Sequence, residues 1–308
     1  MSFGGNRRAF PPPWAFSDGA AAEDVDLVLF LVILLIAGIV AGIVGSLTGL
    51  GGGVVVIPVL VIAFGVSFPI AAGAGFVTIL ATSSASGAAY VRDRLSDLRI
   101  GMFLEIATVP GALLGATATV LLAHANLNAA LLVGLGIVLL AIIPGTIARR
   151  NIEIPIGVRP DRRSRRLRFE GEYRDQALGR DVSYAAGDTN SALGVMFGAG
   201  LVSGMFGIGA GVFKVLALER FLGLPMKIST ATSNFMIGVT AAAGAGIMLS
   251  AGFLNPVIAG PVAIGTAGGA YLGSRTLPGL RNRTVRLIFV PVVAGLAIEV
   301  ILRGLGLP

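Results

Sequence analysis

The sequence predicts an all-α polytopic membrane protein made of two homologous halves, on three observations. First, 55% of the 308 residues are hydrophobic and 13% are charged, too little polar surface to cover a soluble globule of that size. Second, apolar stretches of about 20 residues, enough to cross a hydrocarbon core of about 30 Å, recur along most of the chain. Third, a glycine run inside one such stretch, Gly49-Leu50-Gly51-Gly52-Gly53, returns as Gly207-Ile208-Gly209-Ala210-Gly211, 158 positions later. The same offset pairs Ala41-Gly42 with Ala199-Gly200, Gly65 with Gly223, Thr82 with Thr240, Thr108 with Thr266 and Gly111-Ala112 with Gly269-Ala270.

Residues 1–26 hold the Pro11-Pro12-Pro13 run and the acids Asp18, Glu23, Asp24 and Asp26, and read as a flexible tail. The uncharged stretch Leu27 to Leu47 that follows is longer than the core of a signal peptide, so a retained membrane helix is expected. It opens the first transmembrane repeat, residues 27–149, with further apolar segments at about 53–66, 69–90, 100–122 and 129–148. A basic cytoplasmic linker, 150–190, leads to the second repeat, 191–308, with segments at about 191–206, 211–224, 228–251, 256–274 and 285–302. Each repeat is expected to contain a glycine-broken helix or re-entrant hairpin plus about three transmembrane helices. The pieces that start at Val54 and Val212 are too short to span comfortably and read as half-helices. Broken backbone cannot face lipid, because its polar groups would go unsatisfied there, so it must line a cavity or other protein.

The net charge of +7 comes from 21 arginines and two lysines, with ten of the arginines between Arg149 and Arg180. A local basic run beside membrane spans implies a cytoplasmic face near anionic headgroups rather than nucleic acid. With the linker inside, Arg92, Arg94 and Arg99 also fall inside. If 191–224 folds back at its glycines, Lys227, Arg275, Arg281, Arg283 and Arg286 join them, and the second half is upside down relative to the first. A single crossing would strand the four arginines outside. Inverted repeats are therefore favoured over parallel ones. Within the linker, the alternating run Leu167 to Tyr173 suggests a small hairpin, and the linker as a whole reads as tether and docking surface.

The absence of cysteine excludes disulfides and thiolate metal sites, and the single His124, expected to be a solvated loop residue, cannot build a metal centre. No Walker sequence or Ser-His-Asp arrangement is present, so the chain is not expected to be an enzyme or to hold a cofactor or metal. The expected partners are a small anionic substrate and the lipid bilayer, without nucleic acid. A homodimer is compatible with the sequence.

Paired glycine breaks in two halves point to a transport site. A helix that starts inside the membrane offers free amides carrying about half a positive charge, which suits an anion. The candidates for substrate binding are Gly51, Gly52 and Gly53 in one half and Gly209, Ala210 and Gly211 in the other. The alternative is that these glycines simply let helices pack closely. Downstream hydroxyls and amides, Thr78 and Thr82 in one half and Thr232, Ser233 and Asn234 in the other, could hold an oxyanion without trapping it, or could bond only to their own helices. Lys214, an ammonium in an apolar run, is a functional candidate by cost alone; it could face the substrate, pair with Glu219, or reach an interface. Glu105 and Glu299 are candidates for proton coupling, with a membrane-surface position as the alternative.

The glycine run followed by Pro58 and Leu60, its Gly207 to Gly211 copy, and Gly223-Leu224-Pro225 followed by Lys227 and Ala231-Thr232-Ser233-Asn234 resemble the TauE/SafE family of sulfite and organosulfonate exporters. The resemblance covers roughly 30–123 and 191–303. It implies a secondary transporter, with alternating access, for a small anion such as sulfite or sulfoacetate in the bacterial cytoplasmic (inner) membrane. A channel or a permease for a carboxylate or sulfate is the alternative. The chain departs from the family pattern at Ala210, where a glycine is usual, at Leu216, where a proline is common, and at Phe76-Val77, in place of threonine and serine. These departures suggest that the second half binds while the first mainly rocks.

Overall fold

The computed structural model describes residues 20–148, 160–175, 179–276 and 282–306. The tail up to residue 19, the linker residues 149–159 and Arg281 lie outside the described residues. The first half folds as α1 (Ala20–Thr48), α2 (Gly53–Phe64), α3 (Phe68–Arg92), α4 (Leu98–His124) and α5 (Asn128–Ala148). An insert of α6 (Arg162–Leu167), β1 (Glu170–Asp175) and β2 (Arg180–Ala185) follows. The second half is α7 (Thr189–Phe206), α8 (Gly211–Arg220), α9 (Met226–Ser250), α10 (Pro256–Thr276) and α11 (Asn282–Gly304). Among the described residues, six helices are long and apolar enough to cross a bilayer: α1, α3, α4, α7, α9 and α10. At 12 and 10 residues, α2 and α8 are half-length.

Local chemistry sets the ends. Asp97 caps α4 by accepting from the amides of Arg99 and Ile100 at 3.1 Å. Asp188 caps α7 through the Ser191 amide at 3.1 Å. At the other ends, Gly65 and Gly207 adopt left-handed φ of 61° and 67° and stop α2 and α7, a conformation that costs glycine little.

The helices then pair by glycine. A Cβ on Gly42 of α1 would come within 2.8 Å of the Ala270 amide nitrogen on α10, and one on Gly200 of α7 within 2.9 Å of the Thr108 carbonyl carbon on α4. Gly269 faces Ile39 and Gly111 faces Phe197 in the same way. Gly42 also meets Thr266, and with the offset of 158 this contact repeats Gly200 on Thr108 as Gly269 on Ile39 repeats Gly111 on Phe197, so α1–α10 and α7–α4 are the same junction built twice. Lipid offers no hydrophobic force to join helices, so the close approach that glycine permits supplies the attraction through dispersion. Contact order along the helices gives direction. Gly38 meets Val262 and Gly42 meets Thr266, so α1 and α10 run parallel. Conversely, Gly73 meets Phe253, Phe76 meets Gly244 and Ser83 meets Asn234, so α3 and its register equivalent α9 run antiparallel. The other equivalent pair, α5 and α11, is also antiparallel, with Gly136 on Ala297 and Gly304 on Val133.

The charges separate by end. The end that carries Asp97, bonded through its amide to Thr232 Oγ1 at 3.0 Å, also carries Arg92, Arg94, Arg99, the arginines of α6, Lys227 and Arg275. The opposite end, where His124 and Phe253 approach ring to ring at 5.9 Å, holds Arg303 beside Glu299. His124 is exposed, but it is the last residue of α4 rather than part of a loop.

The hairpin expected from the alternating run forms, with Tyr173 opposite Val182. It is docked rather than loosely tethered. Phe169, Tyr173, Val182 and Tyr184 are buried against Ile100 of α4 and Leu218 and Leu222 near the end of α8. The Tyr184 hydroxyl donates to Asp97 Oδ2 at 3.0 Å; burial and the Asp97 charge push its pKa well above the ordinary phenol range.

Two outcomes test this packing. Gly42→Ala and Gly200→Ala should each lower thermal stability in detergent by about 1–3 kcal/mol through overpacking, whereas Gly198→Ala, with nothing within 4 Å, should leave it unchanged. Tyr184→Phe should loosen the hairpin by about 1–3 kcal/mol through loss of a bond to a charged acceptor, read as faster proteolysis of the insert.

Candidate functional site

The two glycine breaks meet in the middle of the bundle. In the first, Gly49 and Gly51 sit at φ 72° and 78°; in the second, Gly207 and Gly209 repeat this at 67° and 75°. Within four residues each chain reverses from a long helix into a short one. The breaks then touch backbone to backbone. A Cβ on Gly53 would lie 2.6 Å from the Gly207 oxygen, and one on Gly211 would lie 2.6 Å from Leu50 Cα and closer still to the Gly49 oxygen. Ala210 takes the left-handed conformation, φ 46°, at the N-cap of α8, where an L-residue pays about 1–2 kcal/mol.

Neither half-helix has a side-chain cap at its N-terminus, Gly52 for α2 and Ala210 for α8. The first amides of both helices therefore lack a helical acceptor, and the positive ends of two helix dipoles face the same region. The structure thus places Gly51, Gly52, Gly53, Gly209, Ala210 and Gly211 in one locus.

The hydroxyl groups divide. Ser233 joins the locus: its Oγ donates toward Gly49 O at 3.1 Å, with Gly211 O at 3.5 Å. Asn234 Nδ2 bonds Ser46 O and Thr230 O, both at 3.2 Å. Its Oδ1 is buried and accepts no hydrogen bond from any described residue. Thr78 and Thr82 instead donate to carbonyls of their own helix, Ala74 O at 2.8 Å and Thr78 O at 2.9 Å, although the Thr78 methyl lies against Gly52. Thr232 faces the Asp97 amide at the end of the bundle. Ser83, another hydroxyl downstream of the first break, bonds Asn234 O at 2.6 Å and ties α3 to α9.

One helical turn into α8 stands Lys214, with none of its surface exposed. Its partner is not Glu219 but Glu105 of α4, Nζ to Oε1 3.4 Å. Nζ also donates to Met236 O at 3.2 Å and to the Thr240 hydroxyl. Thr240 Oγ1 lies 3.1 Å from both Glu105 oxygens and 2.9 Å from Met236 O. Glu105 is therefore buried among the helices of the bundle. Among the described residues, Lys214 and Glu105 are the buried cation and the buried carboxylate. Glu299 is apart from them, half-buried and paired with Arg303 one turn away at 3.3 Å. No sequence signal joins Glu105 to Lys214, 109 positions apart; only the packing of α4, α8 and α9 does.

Comparison with known proteins agrees with this architecture. Over 265 residues, 83% of this chain and 92% of the relative, the sequence is 26% identical to the probable membrane transporter protein YunE of Bacillus subtilis (strain 168). It is 34% identical over 102 residues, 32% of this chain and 41% of the relative, to the probable membrane transporter protein YdhB of the same organism. No solved structure matches. The family model described as sulfite exporter TauE/SafE matches residues 34–300, and with that span covering most of the chain, the protein belongs to the TauE/SafE family of multi-pass membrane transporters.

Proposed function

We propose that the protein is a secondary transporter that moves a small sulfur oxyanion, sulfite or an organosulfonate such as sulfoacetate, across the bacterial inner membrane by alternating access. The observation that carries this reading is the meeting of two uncapped half-helix N-termini deep in the bundle. Donor amides and two dipole ends directed at one locus favour an anion, and neutral hydroxyl and amide groups such as Ser233 and Asn234 let it leave again. The unpartnered Asn234 Oδ1 would accept from a substrate that carries a proton.

The halves act as inverted repeats in this proposal. Supporting it, equivalent helices run antiparallel across the pairs α3–α9 and α5–α11, as a two-fold axis lying in the membrane plane requires. The concentration of Arg92, Arg94, Arg99, Lys227, Arg275 and the α6 arginines at one end supports a cytoplasmic orientation for that end. Residues 27–149 and 191–308 then form the two repeats, and 150–190 is the cytoplasmic insert between them. Rocking one repeat against the other would open the locus to each side in turn.

In proteoliposomes loaded with sulfite, labelled sulfite should show saturable counterflow; a channel would show neither saturation nor counterflow. Gly211→Ala should abolish it, because the added methyl collides with the backbone of the opposing break. Sulfite counterflow unaltered in that variant would remove the assignment of the locus. Single cysteines at Asn255 and Lys227 should label from opposite sides of the membrane, Asn255 from outside, since the chain has no cysteine of its own.

A further inference from the structure

The 158-residue register makes the α4–α8–α9 junction and the α10–α2–α3 junction equivalent, yet their chemistry differs. Where the first holds Lys214, Glu105 and Thr240, the second holds Val56, Ala263 and Thr82. Val56 is buried like Lys214, and Thr82, like Thr240, donates to its own helix at 2.9 Å. The fold therefore closes the α10–α2–α3 junction without an ion pair, and the pair at the α4–α8–α9 junction is not required by the packing. A buried pair is poor evidence for stability, because desolvating two ions offsets much of their attraction. Its placement one turn beyond the uncapped N-terminus of α8 suggests a different use.

From these observations we infer that Lys214 exchanges counter-ions: a monovalent oxyanion replaces Glu105 at the Lys214 ammonium while Glu105 takes up one proton, so that one anion and one proton move together through a single charged site. This rests on the transporter reading above and adds its substrate charge and its stoichiometry. Charge balance enforces the exchange. Before binding, the ammonium and the carboxylate sum to zero. An arriving monoanion neutralises Lys214 and leaves Glu105 as a buried anion without a cation, which is too costly to persist in low dielectric, so the carboxylate accepts a proton on Oε1 or Oε2. Ammonium, anion and carboxylic acid again sum to zero. A dianion would leave one negative charge uncompensated.

The helices around the pair supply no other compensation, and the charged residues of the hairpin seated at their ends, Glu170, Glu172, Arg174, Arg180 and Asp181, are exposed. Along α5 and α7 there is no Asp, Glu, Lys, Arg or His. On α9 only Lys227 is charged, at its first turn; α8 adds Glu219 and Arg220 in its last turn, and α4 adds Arg99 in its first turn and His124 at its end. Thr240 is suited to relay the change. Its single proton can be directed to only one of three acceptors within reach, the two Glu105 oxygens and Met236 O. It donates to an ionised Glu105, and it can turn to Met236 O and accept from a protonated one.

The test uses the full chain in proteoliposomes with methanesulfonate, a monoanion, and sulfate, a dianion. Wild type should accumulate methanesulfonate against its gradient when the outside is acidic, and a potassium–valinomycin potential of either sign should not change the accumulation. Sulfate should fail to compete. Glu105→Gln should lose acid-driven accumulation, and Lys214→Gln should lose counterflow as well; the double variant, with neither charge, should melt no lower than either single one yet not transport. Accumulation driven by potential and indifferent to pH, or equal competition by sulfate, would overturn the inference from wild type alone, even if the single variants fail to fold. Acid-driven accumulation retained in Glu105→Gln would do the same. If wild type shows methanesulfonate and sulfite counterflow without proton coupling, this inference falls and the transporter reading stands; if it shows counterflow of neither, both fall.

Discussion

Two stretches of peptide backbone touch at the centre of the bundle with no side chain between them, and much of the architecture serves that contact. Gly53 on Gly207 and Gly211 on Gly49 leave no room for a methyl group. The turns on either side need left-handed residues at Gly49, Gly51, Gly207 and Gly209. A reversal of this kind in hydrocarbon exposes amides and carbonyls that lipid cannot satisfy. The bundle answers by enclosing it: α1 and α7 are each fastened to the other half by glycine-mediated packing, on α10 and α4, which holds the half-helices α2 and α8 inside. From α9, Ser233 reaches Gly49 O and Asn234 reaches Ser46 O, so a helix of the second half secures the break of the first.

The ion pair shows how this scaffold was modified without being changed. Val56 and Lys214 occupy equivalent places, both buried, so the lysine is an addition to a junction that already closes. An isolated cation at mid-membrane is costly by about 2.5–3.5 kcal/mol on insertion scales. Glu105, Thr240 and the Met236 carbonyl reduce that cost by meeting all three ammonium protons. The result is satisfied but not inert, since its carboxylate and its hydroxyl both have alternative proton positions.

How far the sequence disclosed this depended on whether a feature was local. Helix ends were legible because glycine, proline and aspartate fix them within a few residues: Gly65 ends α2, Pro69 opens α3 and Asp97 starts α4. Lys214 stood out as a charge in an apolar run. Its partner did not, because Glu105 meets it only through the packing of three helices. Thr78, Thr82 and Thr232 show that residue type alone does not say what a hydroxyl bonds. Their types fit an oxyanion site, but a helix also lets threonine bond the carbonyl four residues back, as Thr78 and Thr82 do, and Thr232 accepts from the Asp97 amide. The insert, polar overall, reads as tether and docking surface, without a signal for where it docks. Four apolar side chains, Phe169, Tyr173, Val182 and Tyr184, alternate onto one hairpin face and are enough to seat it.

The seat of that hairpin matters for the same asymmetry. Its apolar face rests on Ile100 and Leu104 at the start of α4 and on Leu218 and Leu222 at the end of α8, with Tyr184 bonded to Asp97 and the Gly187 amide bonded to Leu222 O at 3.0 Å. The two helices it bridges are those that carry Glu105 and Lys214. Glu105 follows Leu104 directly, and Lys214 precedes Leu218 by one turn, so holding these apolar residues together also limits how far the carboxylate and ammonium can separate. The insert occurs once, between the repeats, and what it bridges is the charged junction rather than the Val56 and Ala263 junction. Charge and restraint therefore fall on one side of a scaffold whose helix pairing is otherwise doubled.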